Sequence, residues 1–114
     1  DGTVSFFKTA DNLPLGVTSD YEYEEQECYF APGSQLLFYT DGVSEAQNEQ
    51  SKFYKIDRLF NLVVSHSQLA PRQMVDKVVG DVKRFVGKAE QSDDLTVMSF
   101  RLNPRGKKKI EGLL

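Results

Sequence analysis

The most constraining feature of this sequence is an apolar run that leads directly into an acidic dipeptide. Leu36–Tyr39 is a short, continuous apolar segment, and Asp41-Gly42 follows it after a single threonine. A run of this length, closed by a turn signal, predicts a β-strand that is buried on both faces. Asp-Gly pairs are common in ordinary turns, where glycine supplies a positive φ. Asp41 on its own therefore does not indicate a functional site.

A second acidic junction lies far downstream, and there the carboxylates come before the strand. Asp93 and Asp94 directly precede Leu95–Leu102, an alternating segment that predicts the last strand of the sheet. If the two strands pair antiparallel, the end of the first and the start of the second meet at one edge of the sheet. Asp41, Asp93 and Asp94 would then be able to share a cation.

The composition is that of one soluble globular domain. The 114 residues are 39% hydrophobic and 27% charged, with a formal net charge of −3. This modest acidity argues against nucleic acid as the main partner, and no apolar run is long enough to span a bilayer. A single cysteine, Cys28, excludes an internal disulfide and fits a reducing compartment. We therefore expect a cytoplasmic protein, with Cys28 as an ordinary strand residue.

The chain between the two junctions predicts two helices. Asp57 is placed to cap a short helix that ends near His66, and Pro71 fits the first turn of a second helix that ends at Gly87. Apolar residues of the second helix recur at spacings of three and four, which predicts a stripe that packs on the sheet. These residues are Met74, Val75, Val78, Val79, Val82, Phe85 and Val86. The single histidine, at a polar helix end, is more simply a surface residue than an acid or base.

The first part of the chain predicts strands at the margin of the sheet. Thr3–Lys8 is strand-like, and Tyr21–Phe30 carries so many glutamates that it predicts an edge or one-sided strand with a solvated face. Ala31–Ser34 predicts a tight turn into the next strand. The fold class is therefore α+β, an antiparallel sheet with packed helices in residues 1–102. Residues 103–114 predict a basic, flexible tail.

Three segments of the chain carry a resemblance to a known family. They are Leu13–Val17, Leu37–Ala46 and Asp93–Val97, and the string Tyr-Thr-Asp-Gly-Val-Ser-Glu-Ala within the second is the most specific. Together they resemble the C-terminal half of the PPM-type, metal-dependent serine/threonine phosphatases, in particular their bacterial stage II sporulation E and sigma-regulating branch. Phe53–Leu59 resembles the family's Phe-Gly-x-x-Arg-Leu element, with Tyr54 where glycine is usual. The resemblance implies that the sheet belongs to an α/β/β/α sandwich.

The resemblance also implies a metal site and a reaction. Asp41 and Asp93 correspond to metal-binding aspartates of the family, and Asp94 is a third candidate, as a ligand or as a residue that orients the loop. A pair of divalent cations roughly 4 Å apart supplies both a nucleophile and charge neutralisation for phosphate-ester hydrolysis. Oxygen ligands of this kind suit Mg²⁺ or Mn²⁺. The implied reaction is hydrolysis of a phosphoserine or phosphothreonine on a signalling protein, such as an anti-sigma factor antagonist, without a phosphoenzyme. No side chain of this chain is predicted to be catalytic itself.

Two or three carboxylates are too few to hold two cations. The resemblance implies that the family's first Asp-Gly metal motif lies in an N-terminal half outside this sequence, and a start at Asp1-Gly2 without methionine predicts a segment of a longer protein. The chain alone is then expected to be inactive, unless copies associate through an exposed sheet. Two alternatives stay open at this point. One is a phosphatase-like module that binds partners without catalysis, and the other is an unrelated small α+β binding domain whose acidic junctions are ordinary turns.

Overall fold

The computed structural model describes residues 2–91 and 93–103 as a small sheet with helices packed on one face. Its elements are β1 (Gln35–Tyr39), α1 (Asp41–Ser44), α2 (Ile56–Ser65), α3 (Pro71–Val86) and β2 (Val97–Arg101). The two strands pair antiparallel, so that the last residue of β1 lies opposite the first residue of β2. The predicted α+β class, an antiparallel sheet with packed helices, is confirmed.

Helix α3 follows its sequence pattern closely. Pro71 is the first helical residue, where a missing N–H costs nothing. The N–H of Ala70 donates to Oε1 of Gln73 at 3.0 Å, and Gly87 ends the helix with a φ of 61°. The fully buried residues of its inner face are Met74, Val78 and Val82. The predicted apolar stripe therefore does pack inward.

Helix α2 begins two residues earlier than predicted, and Asp57 is not its cap. Ile56 is the first helical residue and Lys55 precedes it, while Asp57 lies inside the first turn. A carboxylate there is still favoured, because it faces the positive end of the helix dipole. At the other end, Nδ1 of His66 lies 2.9 Å from the carbonyl oxygen of Leu62. The histidine thus closes the helix, half-buried, as a local structural residue.

The hydrophobic core lies between the inner face of the sheet and the helices. Its buried side chains are Val43, Ala46, Tyr54, Leu59, Met74, Val78 and Val82. From the sheet, Leu37, Tyr39 and Val97 pack against this cluster. Each fully buried aliphatic side chain contributes roughly 1.5–3 kcal/mol. The core therefore fixes the strand ends that carry the two acidic junctions.

The prediction that the first strand is buried on both faces is wrong. Leu37 and Tyr39 face the core, but Phe38 lies on the opposite face and is 47% exposed. Met98 is the cross-strand neighbour of Phe38, and the ring of Phe100 stacks on the ring of Phe38 with centroids 5.5 Å apart. A continuous apolar run is typical of a strand covered on both sides. The described residues cover only one side, so the outer face of the sheet remains apolar and exposed.

The strands predicted before the Ala31 turn are absent from the described residues. Thr3–Lys8 and Tyr21–Phe30 form no ladder, because β1 and β2 pair only with each other. Side chains link this part of the chain instead. Asn12 donates through Nδ2 to the carbonyl oxygen of Glu24 at 3.0 Å and accepts the Glu24 N–H at 2.9 Å. Cys28 is a free, exposed thiol outside any strand.

The tight turn into β1 is present as predicted. Gly33 has a φ of 88°, and the Ser34 N–H donates to the Ala31 carbonyl oxygen at 3.1 Å. The Gly33 N–H also donates to the carbonyl oxygen of Leu102 at 2.7 Å. The turn is therefore tied to the residue that follows β2.

Predictions about the end of the chain fall mostly beyond the described part. Of the predicted tail, residues 103–114, only Asn103 lies within it, so the tail and the boundary at residue 102 stay predictions. Among the helices of residues 2–91 and 93–103, none combines the length and the apolar character needed to cross a membrane. The cytoplasmic location stays a prediction.

Candidate metal centre

The two acidic junctions meet at one edge of the sheet. The Thr40 N–H donates to the carbonyl oxygen of Thr96 at 3.1 Å, which continues the contact between the strands beyond Tyr39 and Val97. Asp41 directly follows Thr40 at the start of α1, and Asp94 lies two residues before Thr96. The antiparallel pairing therefore brings together carboxylates from distant parts of the sequence.

Thr40 fastens the two junctions to each other, a role that the sequence analysis missed. Its Oγ1 accepts the N–H of Thr96 at 3.2 Å and donates to the carbonyl oxygen of Asp94 at 3.4 Å. The residue is the N-cap of α1 but makes no side-chain cap bond to that helix. The sequence signal for this role was the threonine in Tyr-Thr-Asp-Gly, because its hydroxyl lies at the edge where β1 ends and β2 begins.

Gly42 allows close packing and does not form the turn that the dipeptide predicted. Asp41 and Gly42 both belong to α1, and Gly42 is not among the glycines with positive φ. A Cβ here would overlap the carbonyl oxygen of Asp94 and lie 2.7 Å from its carbonyl carbon. Glycine is thus required because the backbones of the two acidic junctions touch at this position.

The three predicted carboxylates are exposed at this edge. Oδ1 of Asp93 accepts the backbone N–H of Asp94 at 2.8 Å, which orders the loop. Within residues 2–91 and 93–103, the carboxylates of Asp41 and Asp94 have no hydrogen-bond or ion-pair partner. Burial, and then the negative charge of Asp41, raise the pKa of Tyr39. Carboxylates that lack such partners, on a rigid edge, have the chemistry that hard divalent cations bind.

Among the described residues, this edge does not offer a complete set of metal ligands. In the part of the chain that the structure describes, no three side chains of Asp, Glu, His or Cys come together closely enough to hold a metal ion. Mg²⁺ commonly takes one or two protein carboxylates and completes its octahedron with waters and substrate oxygens. The donor type of Asp41, Asp93 and Asp94 therefore fits such an ion, while further ligands must come from other groups.

The fold and the site point to the metal-dependent PPM-type phosphatases. An antiparallel strand pair with aspartates at the shared edge, backed by helices on its inner face, is the arrangement that the resemblance predicts. In agreement with this, residues 1–103 match the family described as stage II sporulation protein E, SpoIIE. The chain belongs to the SpoIIE family.

Individual relatives show the same likeness. The phosphoserine phosphatase RsbU of Bacillus subtilis (strain 168) is 25% identical over 92 residues, which are 81% of this chain and 27% of RsbU. Among solved structures, the SiaA-PP2C domain of Pseudomonas aeruginosa matches with a TM-score of 0.63 and 25% identity, covering 74% of this chain and 35% of that one. The chain thus spans about a quarter of the length of the curated relative it matches.

A different carboxylate, Asp81 of α3, is fully engaged, and the sequence analysis did not single it out. Its Oδ2 accepts the Tyr54 hydroxyl at 2.6 Å and Nε of Arg58 at 3.2 Å, and Arg84 lies 3.6 Å from Oδ1. The Arg58 guanidinium also lies over the rings of Tyr54 and Phe85, at 5.1 and 4.7 Å from their centroids. Burial acts to raise the pKa of Asp81, but the hydrogen bonds from Arg58 and Tyr54 and the nearby positive charges outweigh it and lower that pKa.

The glycine position of the Phe-Gly-x-x-Arg-Leu element falls on Lys55 and not on Tyr54. Tyr54 is 2% exposed and takes the place of the buried aromatic residue, and Lys55 has φ 69° and ψ 153°. Counted this way, Arg58 and Leu59 complete the element without a gap. This conformation is almost restricted to glycine and costs other residues about 1–3 kcal/mol. The lysine therefore occupies a strained backbone position.

Proposed function

We propose that this chain forms one side of the active site of a metal-dependent phosphoprotein phosphatase, with Asp41 and Asp93 as metal ligands. The observation that carries the proposal is the meeting of the two acidic junctions, where the carboxylate of Asp41 has no partner among the described residues and the backbone is locked by Thr40 and Gly42. Asp94 is the third candidate ligand, or it orients the loop. An acidic segment that only forms a turn does not need its backbone to touch a second acidic segment.

Each residue of the edge has a distinct role in this proposal. Asp41 and Asp93 bind divalent cations, two Mn²⁺ or Mg²⁺ ions in the complete site, and such ions neutralise phosphoryl charge and lower the pKa of bound water. Thr40 and Gly42 are positioning residues, because they hold the backbones on which the carboxylates stand.

The substrate that the similarity supports best is a phosphoserine or phosphothreonine on a signalling protein. RsbU is described as a phosphoserine phosphatase, and the sigma-regulating branch that this chain resembles suggests a phosphorylated anti-sigma factor antagonist. The proposal concerns the whole protein that carries this chain.

The decisive experiment is Mn²⁺-dependent hydrolysis of a phosphoserine peptide by the full-length protein. We expect Asp41→Asn and Asp93→Asn each to lower turnover by about 100-fold or more, since each removes a charged ligand. Asp57→Asn is the matched control, an exposed aspartate on α2 away from the edge. Calorimetric titration with Mn²⁺ gives a second readout, in which both site variants lose heat of binding and the control does not.

Two outcomes would contradict the proposal. Full turnover in both site variants would exclude Asp41 and Asp93 as ligands. A wild-type protein that binds Mn²⁺ at this edge but hydrolyses no phosphoserine or phosphothreonine peptide would favour the non-catalytic interaction module.

A further inference from the structure

A groove beside the candidate metal centre is lined by positive charge. It has a volume of about 550 Å³ and lies between the segment after α1, the start of α2 and the end of α3. Its cationic lining residues are Lys52, Lys55 and Arg58. Phe53, which is 48% exposed, and Phe85 add aromatic surface. Among the described residues no carboxylate lines it. Arg58 is paired with the nearby Asp81, so Lys52 and Lys55 carry the unpaired positive charge of the groove.

The loop that carries Lys52 is held in place by its own hydrogen bonds. Oδ1 of Asn48 accepts the N–H of Gln50 at 3.0 Å and the N–H of Lys52 at 2.9 Å. The Asn48 N–H donates back to the carbonyl oxygen of Lys52 at 3.0 Å, and Gln47 forms a bridge with Phe53. A partner that docks here therefore loses little energy in ordering the loop.

Lys55 occupies the groove in a conformation that a glycine would adopt without strain. Its side chain is exposed, and in residues 2–91 and 93–103 neither Lys55 nor Lys52 forms an ion pair. An outlier of this kind is a reason to look for a function of the side chain. Among the described residues no ion pair compensates this strain, which points to a charge that acts on something outside the described fold.

The groove also lies at a defined distance from the metal edge. The Lys55 N–H donates to the carbonyl oxygen of Ser44 at 2.9 Å, and Ser44 ends the single turn of α1 that begins at Asp41. One helical turn and one hydrogen bond connect the two backbones, so they lie at most about 10 Å apart. An extended peptide spans this distance in about three residues.

We propose that this groove binds acidic side chains of the phosphoprotein substrate that lie about three residues from the phosphoserine. The inference rests on the proposed function, because the three-residue spacing assumes that the phosphoserine lies at the metal edge beside Asp41. Lys52 and Lys55 supply charge-assisted hydrogen bonds to a carboxylate, and the aromatic surface receives the adjoining apolar part of the peptide. A polynucleotide is a poorer partner, because the chain has a net charge of −3.

The test uses the full-length protein and three phosphoserine peptides. One has Glu three residues before the phosphoserine, one has Glu three residues after it, and one has Gln at both positions. Turnover with Mn²⁺ gives kcat and KM, and fluorescence anisotropy in EDTA measures binding of the unphosphorylated forms. The variants are Lys55→Gly, Lys52→Gln and both together, with Lys88→Gln as an exposed lysine outside the groove.

We expect the wild type to bind one of the Glu peptides about fivefold more tightly than the Gln peptide, as measured by KM and by the dissociation constant from anisotropy. Added salt should reduce this preference. The double variant loses this preference, and Lys88→Gln keeps it. Lys55→Gly melts at the same temperature as the wild type or higher, because glycine accepts the backbone conformation. Its loss of binding then cannot be attributed to unfolding.

Equal affinity of the wild type for Glu and Gln peptides would overturn the proposal, and so would an undiminished preference in the double variant. A single-stranded oligonucleotide that binds the wild type more tightly than the Glu peptide would also overturn it. The anisotropy measurement needs neither metal nor turnover. A lysine-dependent Glu preference in a protein without phosphatase activity would therefore support the groove and refute only the proposed reaction.

Discussion

Two groups of carboxylates in this molecule have opposite environments. Asp81 accepts hydrogen bonds from Tyr54 and Arg58 and lies beside Arg84, with a side chain that is 14% exposed. Asp41 and Asp94 lie at the open edge of the sheet, without hydrogen-bond or ion-pair partners among the described residues. The same chemical group thus stabilises the fold in one place and remains available to a cation in the other.

The difference between them separates a carboxylate that stabilises the fold from carboxylates that are proposed as metal ligands. The partners of Asp81 come from the segment after α1, from α2 and from α3, so its carboxylate joins three parts of the core. At the metal edge the fixed atoms are backbone atoms, held by Thr40 and Gly42, while the carboxylates themselves face solvent. Substitution should therefore lower stability at Asp81 and binding at Asp41.

The largest expected effect on stability is that of Asp81→Ala. The change leaves the Tyr54 hydroxyl and the Arg58 guanidinium without their acceptor, and we expect a loss of about 3 kcal/mol in the free energy of unfolding. Urea denaturation followed by circular dichroism measures it. Asp76→Ala, at an exposed position of the same helix, controls for helix propensity. Equal effects of the two variants would remove the distinction between the two groups of carboxylates.

The next effect is that of Tyr54→Phe, which removes one hydrogen bond and keeps the buried ring. We expect a loss of about 1–1.5 kcal/mol near neutral pH. Burial, followed by the hydrogen bond to Asp81 and its charge, raises the pKa of Tyr54, so its contribution is complete below the unfolded-state pKa near 10. It is lost as the pH rises from there through the folded-state pKa. The gap between wild type and variant should therefore narrow in urea titrations above about pH 10.

The contribution of Asp81 to stability should be lost at low pH, whereas that of Tyr54 is lost at high pH. Because the pKa of Asp81 is lowered in the folded state, its contribution is present above the unfolded-state value of about 3.9 and is lost as the pH falls through the folded-state value. We expect the stability difference between wild type and Asp81→Asn, about 1–2 kcal/mol at pH 7, to shrink below about pH 4. A difference that is constant from pH 7 to pH 2 would show that the ionised carboxylate is not what stabilises the fold.

The smallest expected effect on stability is that of Asp41→Asn. The side chain is exposed and has no partner among the described residues, so the free energy of unfolding should change by less than about 0.5 kcal/mol without metal. Adding Mn²⁺ should raise the melting temperature of the full-length wild type and leave the variant unchanged. If Asp41→Asn destabilised the metal-free protein as much as Asp81→Ala, Asp41 would be a structural residue.

Sequence reasoning predicted the parts of this fold that depend on local patterns. Helix α3 was predictable because Pro71, Gly87 and the apolar spacing are all local signals. The pairing of the two junctions followed from strand direction and from the resemblance. The strands predicted for Thr3–Lys8 and Tyr21–Phe30 were wrong, because a strand requires a neighbour, and residue preferences do not show whether one is present.

The parts of the site that could not be predicted depend on contacts between distant segments. The need for Gly42 is set by the Asp94 backbone, which no local pattern reveals. The roles of Tyr54 and Asp81 depend on how α3 packs against the segment before α2. The glycine position of the Phe-Gly-x-x-Arg-Leu element was counted one residue too early, on Tyr54, and only the backbone angles of Lys55 corrected it.

The hydrogen bonds between Thr40 and Thr96 also have a consequence for folding. Helices α2 and α3, which lie between these residues, form from local contacts. The edge at Asp41 and Asp94 instead requires closure of the whole intervening chain, a step with a larger entropic cost and a slower rate. Conditions that weaken the pairing of β1 with β2 should therefore abolish cation binding before they abolish helical structure. Recovery of Mn²⁺ affinity after dilution from denaturant reports on sheet closure, and recovery of helical circular dichroism reports on the rest.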